Sequence, residues 1–377
     1  MNLFLSHESA LQFWRWWSVS NAVPLWEFHS GSSSAASSLP AGAMRTASML
    51  NIPCCVKTQI TETLDKDNGA IRAILTQAKI AVGQSGVLHV AIPKTPGKHN
   101  VANIAYHQIW QQLPKRAFLQ IVPNLFVASP ELTFVQLATN LSFGALLALG
   151  EEMCGGYPVV TRFQPDAGWR FGPDGISGPQ PSVQAIYVRH PLSSPARIAA
   201  FAGSCKGVMG ATVARRASRM LNGMSASVRE TEVAILGLSP RCVGGLGAAK
   251  ADLNKAVRLS AAAAQVAQQK TATCDLLFRD SRIAVEYDGS HGHSSTEQRA
   301  QDARRRNALK MDGFDVRVLT DPQFQDPQEF QSIMREASAK AGKWVAALTE
   351  EQLAKHRLLR RQLAEFHNEA SASLWFQ

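Results

Sequence analysis

Two short runs in the last third of the chain carry the residue types best suited to chemistry. Cys274-Asp275-Leu276-Leu277-Phe278 and Ile283-Ala284-Val285-Glu286-Tyr287-Asp288-Gly289 are strand-like and flank Arg279-Asp280-Ser281-Arg282. Taking Asp280-Ser281 as a two-residue turn pairs Phe278 with Ile283 and, counting back, Asp275 with Glu286. Directly opposed residues hold their Cβ atoms roughly 4.5–5.5 Å apart. Alternation then puts Leu276, Phe278, Ile283, Val285 and Tyr287 on one face and Asp275, Glu286 and Asp288 on the other. Like charges placed opposite each other destabilise a strand pair, and a bound divalent cation relieves that cost. Oxygen-only ligands favour Mg2+ or Mn2+ over zinc, which makes Asp275 and Glu286 the candidate metal ligands. The alternative is a solvated strand face whose register has slipped, separating the two acids.

The neighbouring elements could complete such a site. Ser227-Val228-Arg229-Glu230 opens a helix in which Glu230 can point back at the N-terminal end. His291 and His293 follow the acidic strand on a turn containing Gly292. Ser294-Ser295-Thr296-Glu297 reads as a capping box for a helix reaching Asp312, with Gly313 as its stop. Arg304, Arg305 and Arg306 lie on that helix and could face phosphates, or could be a solvated face. Phe314, Val316 and Val318 alternate as a further strand. A helix, an acid-bearing hairpin, a second helix and a strand make a compact αβ nuclease arrangement.

These motifs resemble a known family. Ser227 to Glu230, Cys274 to Phe278, Val285 to Gly289, and Asp302-Ala303-Arg304-Arg305-Arg306-Asn307-Ala308-Leu309 followed by Gly313-Phe314-Asp315-Val316 are similar to endonuclease-like domains related to the very-short-patch-repair enzymes, within the PD-(D/E)xK superfamily. The resemblance is to actinobacterial proteins carrying this domain at their C-terminus. It implies a restriction-endonuclease-like fold over residues 225–345, with Asp275 and Glu286 on Mg2+ or Mn2+. It further implies Glu230 as an accessory acid and His293 as the proton carrier. Two positions depart from the pattern. The usual Lys two residues after the second acid is Asp288, where the related family also places an acid. The family's histidine position is Gly292, between His291 and His293. Segments Phe4 to Leu11 and Phe126 to Leu132 resemble the front half of the same proteins, sometimes likened to AbiEi-type antitoxins.

The rest of the chain sets the context. At 377 residues, more than one core is expected. The division expected is an α+β domain over 1–155, a linker with connecting helices over 156–224, the nuclease-like domain over 225–345, and a C-terminal helix over 346–377. The class is α/β. With 39 basic against 29 acidic residues the net charge is +10, which favours a polyanionic partner such as DNA. The N-terminal half would serve DNA docking, a partner protein or a homodimer. Six cysteines without a CxxC pair or zinc spacing suit reduced thiols. No signal-peptide profile is present, and the apolar stretch Phe134 to Leu149 is short and interrupted by polar residues, so a cytoplasmic protein without a membrane span is expected.

Locally, Ser6 caps a helix bearing Leu11, Trp14 and Trp17 on one face, with Trp14, Trp16 and Trp17 as core residues. Gly31 to Gly42 reads as a loop, Asp67 to Ala81 as a helix, and Val87 to Ile92 and Phe118 to Val127 as strands with Asn124 near a turn. Ser129-Pro130-Glu131 starts a helix running to Gly150. Gly155 to His190 is an irregular connection, Pro195 to Cys205 and Ala211 to Leu221 are short helices, and the charged tail from Thr349 to Ala370 is a long one. His7 and His190 read as structural, and Gly244-Gly245-Leu246-Gly247 as a turn, not a phosphate loop. The expected function is a metal-dependent DNA endonuclease. The alternatives are a non-catalytic DNA-binding regulator of a defence or toxin–antitoxin system that keeps the nuclease fold, or an RNA-processing enzyme.

Overall fold

A computed structural model describes residues 2–20, 23–24, 45–47, 69–78, 80, 86–93, 103–109, 112–157, 187–289 and 296–373. Helices and mixed sheets together make an α/β protein. The chain divides into two compact units: residues before the 160s join 188–223 and the end from Asn368 in the first, and 224–367 build the second.

The first unit is organised around β1 (Leu3–Leu5), three residues that are all buried. Its sheet also contains β2 (Arg45–Ala47), β3 (Leu88–Pro93), β4 (Ile104–Ile109), β5 (Phe118–Val122) and β6 (Leu125–Ala128), in the order β2-β5-β6-β1-β3-β4. β1 runs parallel to β6 and antiparallel to β3, and β3 runs parallel to β4. Phe4 stacks on Phe126 and meets the edge of Phe118. Helix α1 (His7–Ser20) follows β1 directly and buries Phe13 and Trp14, with Trp16 and Trp17 packed against the same core. The Trp14 indole N–H donates to the Ala128 carbonyl at 2.8 Å. Helix α2 (Gly69–Gln77) is shorter than the expected span. The run Phe118 to Val127 is a hairpin of two strands, because Asn124 takes a left-handed φ of 67° between them.

The helix expected from Ser129 to Gly150 is two helices. Ser129 caps α3 (Pro130–Leu137), and Ser142 caps α4 (Phe143–Cys154) by accepting from the Ala145 amide at 3.3 Å. A serine competing for the backbone at that point offers the chain a fresh start in place of continuation. The apolar residues of both helices except Phe143 are buried core, and among the described residues no helix is long and apolar enough to cross a membrane. Helices α5 (Pro195–Ser204) and α6 (Ala211–Ser218) pack on α3 within this unit. Gly31 to Gly42 and most of Gly155 to His190 lie outside the described residues.

The second unit is a four-stranded sheet with helices on both faces. Its elements are α7 (Val228–Leu238), β7 (Ala251–Arg258), α8 (Ala261–Ala267), β8 (Thr271–Phe278), β9 (Ile283–Asp288), α9 (Thr296–Met311), β10 (Asp315–Thr320), α10 (Asp321–Gln325), α11 (Pro327–Lys340) and α12 (Glu350–Ser373). The order is β10-β9-β8-β7, antiparallel except for β9 against β10, whose crossover is α9. Helices α8 and α9 bury Ala263, Ala267, Ala308 and Leu309 against Ala272, Cys274, Ala284 and Val316. Helices α7 and α11 pack against β8 and β9 as well. The Gly244–Gly247 segment is a turn, with Gly244 and Gly247 at positive φ.

Candidate active site

Asp280 sits at a φ of 56° in the hairpin turn, and the Ser281 hydroxyl donates to the Phe278 carbonyl and accepts from the Ile283 amide. The ladder then pairs Leu277 with Ala284 and Leu276 with Val285, the register the turn count requires. The next step along both strands brings Asp275 opposite Glu286. There the side chains take over from the backbone ladder. The Asp275 amide donates to Glu286 Oε1 at 3.3 Å, and the Tyr287 amide donates to Asp275 Oδ2 at 2.8 Å.

Simple alternation does not survive this point in β8. Ala272 and Cys274 belong to the same buried cluster as Leu277 and Ala284, whereas a regular strand would put Leu277 on the opposite side from Cys274. The strand therefore turns over at Asp275. Its neighbour β7 turns with it: Cys274 still pairs with Lys255 and Leu276 with Leu253, while Asn254 between them adopts a φ of 47°. The expectation of one flat acidic face is corrected accordingly. Glu286 and Asp288 point toward α9, and Asp275 reaches sideways to the backbone of β9.

The distortion in β7 has a use. Asn254 Nδ2 donates to Glu230 Oε2 at 2.6 Å and to the Met224 carbonyl at 3.0 Å. Glu230 is in the first turn of α7, where Ser227 caps the helix. The Ala226 amide and the Ser227 hydroxyl also donate to the Glu230 carboxylate, at 2.8 and 3.0 Å. Three donors fix this carboxylate near the hairpin acids, close enough that its charge acts on both of them.

Arg305 of α9 closes the group. Its Nη2 lies 2.8 Å from Glu286 Oε2, and its Nη1 donates to the Thr273 carbonyl at 2.6 Å. Glu286 is only 2% exposed, so it is a buried carboxylate with one guanidinium for company. Burial, then the Glu286 charge, then the Glu230 charge push the Asp275 carboxyl well above the ordinary aspartate range, against the pull of Arg305. Burial also raises Glu286, and Arg305 offsets only part of that. Among the described residues Glu230, Asp275 and Glu286 do not bring three ligand atoms within 4.8 Å of one another, so the pair Asp275 and Glu286 is the oxygen-donor set here, under the charges of Arg305 and Arg306. Such a set fits Mg2+ or Mn2+.

The arginine run divides, because successive helical residues are about 100° apart around the axis. Arg305 faces Glu286, Arg306 donates to Asp288 at 3.2 Å, and Arg304 is exposed with a 3.3 Å bond to Gln268. The three arginines therefore do not share one face, and Arg304 alone of them is exposed. His291 and His293 lie outside the described residues.

Sequence reasoning did not anticipate Asn254, which no motif marks, or the inward role of Arg305. It also missed a second polar cluster, in the first unit, made of Glu8, His89 and His107. Burial first, then neighbouring imidazoles, lower His107 to about 4 and the adjacent His7 to about 3.

No family model, no curated protein and no solved structure matches this chain.

Proposed function

We propose that the second unit is a metal-dependent endonuclease that hydrolyses phosphodiester bonds in DNA. The observation that carries this reading is a buried pair of acids, Asp275 and Glu286, with Arg305 on Glu286 and Glu230 near enough for its charge to act on both, the two carboxyls of the pair being raised by burial and by neighbouring negative charge. Perturbed carboxyls gathered at one place are typical of sites that handle charge for a living. Asp275 and Glu286 would hold Mg2+ or Mn2+, which when bound supplies Lewis-acid polarisation of the phosphate and a hydroxide nucleophile. Glu230, fixed by Asn254, Ser227 and the Ala226 amide, would orient water on that side of the site. Arg305 would donate to a non-bridging phosphate oxygen, and His293 would carry the proton to the leaving oxygen. The net charge of +10 supports a polyanionic substrate.

The Arg305–Glu286 pair favours a second reading, because a carboxylate already neutralised needs no metal. On that reading the unit grips DNA without cutting it. Supercoiled plasmid incubated with the protein and Mg2+ or Mn2+, with and without EDTA, separates the two. Nicking is expected with metal and abolished by EDTA or by Asp275→Asn, with DNA affinity equal or higher in the variant. His293→Ala should lose roughly 10²–10⁴-fold in rate. Retarded but intact DNA under all metals would overturn the nuclease reading in favour of the DNA-binding one.

A further inference from the structure

The first unit contains an unassigned set of ligating side chains from three elements. His89 on β3 and His107 on β4 lie on neighbouring parallel strands, where the register sets Ala91 beside His107 and His89 beside Ala105. The two imidazoles are therefore diagonal neighbours on one face of the sheet. Glu8 enters from the first turn of α1. That helix start is pinned to β3: the Ser6 amide donates to the His89 carbonyl, and the His89 amide donates to the Ser9 hydroxyl.

The side-chain atoms converge tightly. His89 Nδ1 is 2.9 Å from His107 Nε2 and also 2.9 Å from Glu8 Oε2. No arrangement of protons on neutral rings satisfies both contacts. A hydrogen on His89 Nδ1 can align with only one of the two partners, and a hydrogen on His107 Nε2 leaves the His89 lone pair facing the carboxylate. Consistent with this, Glu8 Oε2 is enclosed and receives no aligned hydrogen bond. The three ligand atoms lie within 4.8 Å of one another. Tetrahedral zinc, with bonds of about 2.0–2.2 Å, spaces its ligand atoms about 3.4 Å apart, so each 2.9 Å contact need open by only about half an ångström.

We propose that Glu8, His89 and His107 form a binding site for a divalent transition metal, zinc by its ligand set. Two imidazoles and one carboxylate are a recurrent three-residue zinc set, leaving a coordination position open for water or an exogenous ligand. Outer contacts hold the ligands in place. The His7 ring stacks on His107 with centroids 3.5 Å apart, and Asn140 Nδ2 donates to Glu8 Oε1 at 3.3 Å. Imidazole ligands distinguish this site from the oxygen-only set of the second unit, which suits hard cations.

The test uses the full-length, tag-free chain, stripped of metal and titrated with Zn2+ in excess Mg2+. One equivalent of Zn2+ should bind, and Co2+ in its place should give the visible absorption of a low-coordinate nitrogen/oxygen site. Glu286→Gln should retain the equivalent, while His89→Gln/His107→Gln should lose it. Glu8→Gln, which keeps both rings and changes a half-exposed side chain, should weaken binding by about tenfold or more. Circular dichroism and melting of the metal-free variants check that they fold, and Glu8→Gln carries the test alone should the double variant not. Absence of Zn2+ binding in the wild type would overturn the proposal, as would an unchanged equivalent in folded variants.

Discussion

Asp275 gives up a place in the backbone ladder for a carboxylate contact, and that exchange has a measurable signature. Its carboxyl is raised by burial, by Glu286 and by Glu230, so the folded chain holds the proton more tightly than the unfolded chain does. Stability from this group is fully present below the unfolded value of 3.8 and is lost as pH rises through the folded pKa. In metal-free buffer, Asp275→Asn should therefore match the wild type near pH 3.5 and become the more stable of the two as pH rises. The gain should level off at roughly 0.5–2 kcal/mol, the range usual when a strained functional position is relieved. The asparagine oxygen still accepts from the Tyr287 amide, so the contact itself is kept. Urea denaturation across a pH series checks the sign, and a variant less stable at neutral pH would mean that the carboxylate is not under repulsion.

At the scale of elements, the glycine-rich turn after α7 shows how closely the second unit is packed. The Leu246, Gly247 and Ala248 amides bond back to carbonyls of Leu236, Ser239 and Gly237. A Cβ on Gly245 would meet the Ser239 carbonyl oxygen at 2.0 Å, whereas one on Gly247 would find only Arg241 atoms near 4 Å. Gly245→Ala should cost at least about 2 kcal/mol, and Gly247→Ala only about 1 kcal/mol for its positive φ. Equal losses in guanidinium melts would refute the packing argument. The same turn was readable from sequence because a glycine-rich run without the strand and Lys of a phosphate loop reads as a turn. The hairpin register near the turn was readable too, since a two-residue turn at Asp280-Ser281 sets the pairs Leu277–Ala284 and Leu276–Val285, with a slipped register as the alternative. What sequence could not reveal came from distant partners. Asn254 is an ordinary polar residue until β7 and β8 turn over together and present it to Glu230. His89 and His107 are eighteen positions apart, and only parallel pairing of β3 with β4 makes them neighbours. The break between α3 and α4 was signalled by Thr139, Asn140 and Ser142, but the apolar residues on either side read more strongly as one helix.

For the whole molecule, the excess of positive charge says less about DNA contact than its placement does. Within the second unit, two of the three consecutive arginines on α9 are already engaged by carboxylates. On the proposed nuclease reading, Arg305 would be an internal placeholder at Glu286. Divalent metal and guanidinium would then compete for one carboxylate, and an ion that wins would free Arg305 for a phosphate. Metal and DNA would on that reading be heterotropic effectors of each other, and by linkage each would tighten the other by the same factor. The salt slope of duplex binding, measured with the wild-type chain on a non-hydrolysable backbone, should accordingly steepen by about one when Mg2+ is added. Arg305→Ala should erase that increment while leaving the metal-free slope unchanged. Read this way, the buried ion pair is a stored phosphate ligand whose availability reports whether the metal has arrived.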